Sequence, residues 1–186
     1  MIEIKIEDGL AIAALNRLAA RASNLSPALH DVGEHLLVTT KRRFETGTAP
    51  DGSRWAPNSQ ATLLAHLGSR SGVWDHQGKR VGTRKGYLRQ NGRLGAKGVT
   101  TIMGKKPLIG ESRALGTTIN YRVSADSLEI GSAMEYAAMQ QFGGSKSKFP
   151  HLWGDIPARP FLGLSDEDTA AVVSIVSNYL RSLIQT

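Results

Sequence analysis

Two stretches, GVWDHQGKR and GVTTIMGKK, set a lysine directly after the second of two glycines, the order found in loops that cradle phosphates. Such a loop needs four residues between the glycines, so that successive backbone N–H groups converge, and a Ser or Thr after the lysine to reach a metal. Both stretches have five intervening residues and a second cation, Arg80 or Lys106, after the lysine. Neither can close the cradle. HDVGEH has the flavour of a zinc helix, but His30 and His35 are five apart and so about 140° around a helix, on different faces. Asp31 and His35 would share a face, the ordinary spacing of a solvated ion pair. His66, His76 and His151 are scattered. Glu3 and Lys5 fit strand alternation better than a nuclease centre. The nearest carboxylates to a sheet edge, Asp126, Glu129 and Glu135, are what a metal-dependent nuclease would have to use. With no Gly-x-Ser-x-Gly elbow and no cysteine, nucleophilic catalysis has no anchor. The chemistry points away from an enzyme and calls for no cofactor and no metal.

Charge is the stronger signal. The chain of 186 residues carries +7, with 23 Lys and Arg against 16 Asp and Glu. Between His76 and Gly110 lie nine cations, Lys79, Arg80, Arg84, Lys85, Arg89, Arg93, Lys97, Lys105 and Lys106, with eight glycines and no acid; the remaining 14 cations face all 16 acids. Flexible glycines and point charges suit sequence-independent contact with a phosphate backbone, or a solvated arm that touches nothing. Only Tyr87 in that window could stack on a base, which argues against a single-strand platform. No segment has the length and apolarity of a membrane span, and the acidic start MIEIKIEDG lacks a signal-peptide pattern, so a soluble, intracellular protein without a membrane partner is expected.

The elements that must position these residues follow from periodicity. Ile2, Ile4 and Ile6 alternate with charge, a half-buried strand ended by Asp8-Gly9, and Leu10 to Ala22 reads as a short helix. Ser26-Pro27 opens a longer helix as cap and first-turn proline, with Leu29, Val32, Leu36, Thr40 and Phe44 on one face and Gly47 as its stop. From Thr48 to about Gly110 no period survives, and the span reads as a long loop or arm, pinned at Trp55 and Trp74. Leu108 to Gly116 suggests a short helix. Ile119, Tyr121 and Val123, then Leu128 and Ile130, alternate around SADS as a hairpin. Glu135 to Phe142 forms a helical turn stopped by Gly143-Gly144. The final helix starts at Ser165, with Asp168 three residues on and Asp166 and Glu167 in the first turn, and Val172, Ile175, Val176, Tyr179, Leu180 and Leu183 form its stripe. The expected fold is α+β: one domain over 1–186, a small antiparallel sheet packed by N-terminal and C-terminal helices, with residues 76–110 as a basic glycine-rich arm.

Between loop and last helix stands DIPARPFLGLSDED. Pro157 and Pro160 fit a P-x-x-P ligand, but such a pattern is short and common. They account better for a stiff extended segment whose missing N–H groups need no ladder partner, docked by Phe161 and Leu162. Stiffening lowers the entropy cost of ordering. The segment would then fix the last helix and present Arg159 outward, to pair with a carboxylate of the same fold or of a neighbouring subunit.

Four stretches resemble the phage virion morphogenesis family, the tail completion proteins of contractile-tailed phages: PDGSRWAP, KPLIGESRALGTTINYRV, LEIGSAMEYAAMQQFGG and IPARPFLGLSDED. In order, they span Pro50 to Asp168, with the basic arm looking like a variable insertion. The family usually carries glycine where Arg113 stands and commonly histidine where Gln140 stands. The resemblance implies a non-catalytic structural protein that completes the tail or joins it to the head, at the tail or neck of the virion after assembly in the host cytoplasm. It implies a homo-oligomeric ring, a hexamer favoured, around the DNA passage, with tail tube or sheath and head-completion or connector proteins as partners. Tyr136, Phe142, Pro157, Arg159, Pro160 and Phe161 are the interface or structural positions to examine, and the nine arm cations those that would face DNA. A free nucleic-acid-binding protein acting through the arm is the alternative.

Overall fold

The computed structural model describes residue 19 and residues 24–71, 94–110, 112–152 and 154–184. The expected first strand, nearly all of the helix after it, Trp74 and six of the arm cations lie outside the described residues. The remaining elements run α1 Ser26–Thr46, α2 Gln60–Ser71, α3 Ala96–Met103, α4 Ala114–Thr117, β1 Ile119–Val123, β2 Leu128–Ser132, α5 Ala137–Phe142 and α6 Asp166–Ile184. Helices and one antiparallel hairpin occupy separate stretches of chain, which makes the fold α+β.

Helix α1 is the spine. It begins at Ser26, one residue earlier than the cap assignment implies: Leu25 is the capping position, and Ser26 receives its local bond at the backbone N–H, from which it donates to Asn24 Oδ1. Pro27 sits in the first turn as expected. At the other end Gly47 takes φ 71°, ψ 36° and donates to Arg43 O, the left-handed stop that only glycine enters cheaply. The buried face holds Val32, Leu36, Thr40 and Phe44, together with Gly33 and Arg43.

The hairpin pairs Ile119 with Ser132 through Val123 with Leu128, and Ser124 closes the turn by donating to Ser127 O. It packs across α1, while α6 packs along α1 as well. Gly33 is the reason the sheet can lie so close: a Cβ there would stand 2.5 Å from the Tyr121 ring. The Tyr121 hydroxyl, freed to reach past the helix, donates to Glu34 Oε1 at 2.7 Å, and His30 meets the same ring edge-on. HDVGEH is therefore a packing motif.

The core is aromatic. Phe44, Trp55 and Phe161 meet at centroid distances of 5.3 and 5.4 Å around Phe44, with Ala49, Leu115, Ile119 and Ala137 closing the cluster. On α6 the expected stripe is half-buried at Val172, Ile175, Val176, Tyr179 and Leu183, but Leu180 is exposed. Tyr179 OH donates to Asn24 O, fastening α6 to the chain ahead of α1.

The span expected to be loop is not structureless. The PDG turn closes with Gly52 N–H donating to Ala49 O and Trp55 N–H to Gly47 O, and α2 and α3 pack on each other beyond it. Leu67 of α2 is fully buried. The expected helix at Leu108 to Gly116 shrinks to Ala114–Thr117, because Leu108 and Arg113 both adopt positive φ, 59° and 54°. A non-glycine side chain there costs about 1 kcal/mol, so Arg113→Gly is expected to raise stability by roughly 0.5–1 kcal/mol, read as a higher denaturant midpoint; a lower midpoint would refute the strain.

Candidate functional site

Residues 155–165 form a strap across the molecule. Its start is tied to the α5 stop: Ile156 and Gly144 exchange backbone bonds of 2.8 and 2.9 Å, and Arg159 N–H donates to Gln140 O. One α5 side chain then reads the strap's backbone. Gln141 Oε1 accepts from Phe161 N–H at 2.9 Å and Leu162 N–H at 3.0 Å, and Gln141 Nε2 donates to Leu162 O. From the opposite side, Trp55 Nε1 donates to Pro160 O at 2.7 Å. The two prolines supply two positions of the extended segment that have no N–H to pair, and Phe161 docks it with no exposed surface.

Arg159 departs from expectation. It is 7% exposed, so it points inward, and among the described residues it has no carboxylate partner. Instead Nε donates to Ala56 O and Nη2 to Pro57 O, both at 2.8 Å, while Nη1 lies 3.4 Å from Gln140 Oε1. The guanidinium clamps the segment after Trp55 to the strap. Backbone carbonyls are the acceptors that extended, proline-broken segments leave unpaired, which is why this arginine can turn in. Burial pushes Arg159 below the usual arginine range.

The carboxylate pair lies elsewhere. Arg43 Nη1 donates to Phe161 O at 3.0 Å and Gly163 O at 2.8 Å, and Nη2 donates to Asp168 Oδ2. Asp168, 1% exposed, also accepts from Ser165 N–H at 3.0 Å and Ser165 Oγ at 2.8 Å, while its own N–H donates to Ser165 Oγ at 3.1 Å. The capping box read from the sequence is present, with its acid turned to a second use. On the other oxygen, His35 Nε2 stands 3.1 Å away; an ionised carboxylate only accepts, so Nε2 carries the proton. Burial alone would raise the Asp168 carboxyl. The Ser165 N–H and hydroxyl, the Thr39 hydroxyl and the Arg43 guanidinium outweigh it, and the group is held below its ordinary value.

These bonds bring the strap, the FGG stop, the PDG turn and the helix start into one packed unit, and two glycines mark the contacts. A Cβ on Gly143 would come within 2.7 Å of Ala158 N, and one on Gly163 within 2.8 Å of Pro50 Cγ. Beside the strap opens a cleft of about 300 Å³ lined by Arg159, Lys105, Lys106, Tyr136 and Ser112. Lys105 Nζ donates to Ile109 O and Lys106 Nζ to Glu45 O, so the end of the basic arm is fastened at this cleft. Lys97 is exposed on α3. Lys79, Arg80, Arg84, Lys85, Arg89 and Arg93 lie outside the described residues. Pro157 is exposed, Tyr136 is half-exposed at the cleft, and Phe142 shows 78% of its surface to solvent. Among the described residues no group of three or more His, Asp or Glu side chains could hold a metal ion. Among them, too, no helix is long and apolar enough to cross a membrane.

Trp55, expected as a local pin of the loop, also holds the strap, whereas Arg43, His35 and Gln141 were not picked out as organisers from sequence. Arg43 did carry a signal, because a cation beside Thr40 and Phe44 on the apolar face of α1 must find a partner. Nothing local marked Gln141.

The pattern of strap, glycine stop and capping box has a known owner. The model of the phage virion morphogenesis family matches residues 7–89 and 96–181, and the chain belongs to that family. It is similar along its whole length, and along the whole length of the relative, to the Mu-like prophage FluMu G protein 2 of Haemophilus influenzae, at 24% identity over 186 residues. The match is wider than the Pro50–Asp168 span that carries the resemblance, and within residues 76–110 it omits only 90–95. No solved structure matches the chain.

Proposed function

We propose that this protein completes the phage tail or joins it to the head, as a ring of identical subunits around the DNA passage, a hexamer by preference, without catalysis or cofactor. Its partners in this reading are the tail tube or sheath and the head-completion or connector proteins, and its place is the tail or neck of the virion. The observation that carries the reading is the strap. The stretches that mark the family are spent on one unit, held by backbone-directed bonds from Arg159, Gln141, Trp55 and Arg43, with no grouping of side chains among the described residues set up for a reaction. Rigid presentation of a surface is what an assembly protein needs.

The test is electron microscopy of particles from induced cells with the gene deleted, beside cells carrying it back. Separate filled heads with unjoined or over-long tails, restored by the gene, are the expected result. Intact, joined virions in the deletion would overturn the reading.

One observation favours a second reading, a nucleic-acid-binding protein: nine cations and no acid between His76 and Gly110. It requires duplex affinity that falls by about 0.9 log units per log unit of salt for each phosphate contacted, and that vanishes when Lys79 to Lys106 are neutralised.

A further inference from the structure

We infer that the cleft at Arg159 receives Asp166 and Glu167 of a second copy of this chain, so that copies join head to tail; the inference rests on the ring reading above.

Arg159 offers five N–H donors, and its three contacts within the described residues all go to neutral oxygens. Arg43, the other buried arginine among the described residues, has a carboxylate. A guanidinium taken out of water without a counter-charge is costly, and the cost is recovered when an anion reaches it. The cleft gives such a group access, with Lys105 and Lys106 on its wall and the Ser112 and Tyr136 hydroxyls as further donors.

The complementary patch is on the same chain. Asp51, Asp166 and Glu167 border a second cleft, of about 740 Å³, floored by Pro50, Pro160 and Leu164. All three acids are exposed, none forms an ion pair among the described residues, and Leu164 is 56% exposed beside them. Successive strap residues serve different clefts: Arg159 lines the basic one and Pro160 the acidic one. A self-complementary dimer uses one patch twice. Two distinct, oppositely charged patches are instead the requirement for a head-to-tail contact, which closes into a ring when the rotation allows.

The experiment is analytical ultracentrifugation of the full chain and two charge-reversed forms, Asp166→Lys/Glu167→Lys and Lys105→Glu/Lys106→Glu, each checked for folding by circular dichroism. Wild type should assemble, and each reversed form should need at least tenfold more protein to do so. Their equimolar mixture should recover assembly, because the reversed charges at 105 and 106 then meet the reversed charges at 166 and 167, while the unchanged patches meet each other. If a reversal unfolds the chain, the neutral pairs Asp166→Asn/Glu167→Gln and Lys105→Gln/Lys106→Gln replace it, and each should weaken assembly. A monomeric wild type, reversed or neutral forms that assemble as wild type does, or a mixture that fails to recover would overturn the pairing. Lost rescue of virions with self-assembly unchanged would also overturn it, by giving the cleft to a different virion protein. None of these outcomes alters the deletion phenotype, which tests the tail-completion reading separately.

Discussion

Asp168→Asn will lower the free energy of unfolding by about 3–5 kcal/mol, the range for breaking a buried ion pair from one side. The replacement is nearly isosteric, so no cavity confounds it, and an Asn oxygen can still accept from Ser165 N–H. What it removes is the charge that faces Arg43, itself 6% exposed and, among the described residues, otherwise bonded to the carbonyls of Phe161 and Gly163. The pH dependence follows from the direction of the shift. The folded-state value of Asp168 lies below the ordinary 3.8, so the unfolded chain binds the proton first as pH falls. Its stabilisation is complete above about pH 5 and is lost progressively below about pH 4. Chemical denaturation of both proteins should show their difference shrinking over that acid range. An Asp168→Asn protein within 1 kcal/mol of wild type at pH 7 would mean that the pair contributes little, as many ion pairs do when water reaches them.

The second large effect is expected at Gly143, where Gly143→Ala should cost about 3 kcal/mol or more. Two causes act together. The backbone there has φ 71° with ψ 177°, a region essentially reserved for glycine. The added Cβ would also stand 2.7 Å from Ala158 N and 2.8 Å from Ile156 O. Those are backbone atoms of the strap, so no side-chain rotation relieves the clash. The strap must move, and the bonds from Gln140 O and Gln141 to it stretch with it. Amide exchange should therefore rise first at Ile156, Arg159 and Phe161. Gly144 is bridged to Ile156 through its backbone, so protection there should fall as well. Unchanged stability and exchange would refute the close approach.

The elements with a strong local period were legible from residue types. The α1 stripe, its glycine stop, the SADS hairpin, α5 and the capping box of α6 each depend on contacts within a few residues, and each stands where that period put it. Helices α2 and α3 were not legible. QATLLAHLGSRS and AKGVTTIM are short and glycine-broken, and helices of that length are marginal alone; they hold because they pack on each other. Arg159 was placed correctly on a stiff segment but turned the wrong way. An extended strap shows its side chains to alternate sides, and local sequence does not say which side the core will occupy.

The sequence by itself determined the class of fold, the family and the concentration of positive charge in one segment, because composition, spacing and turn chemistry are local properties. Tertiary structure alone decided which polar residues go inside and with whom. Arg43 and Asp168 are 125 residues apart, and Arg159 meets Ala56 and Pro57 from more than a hundred residues away. Such pairings are selected by the cost of leaving a buried charge or carbonyl unsatisfied, a quantity that has no value until the whole chain has closed around it.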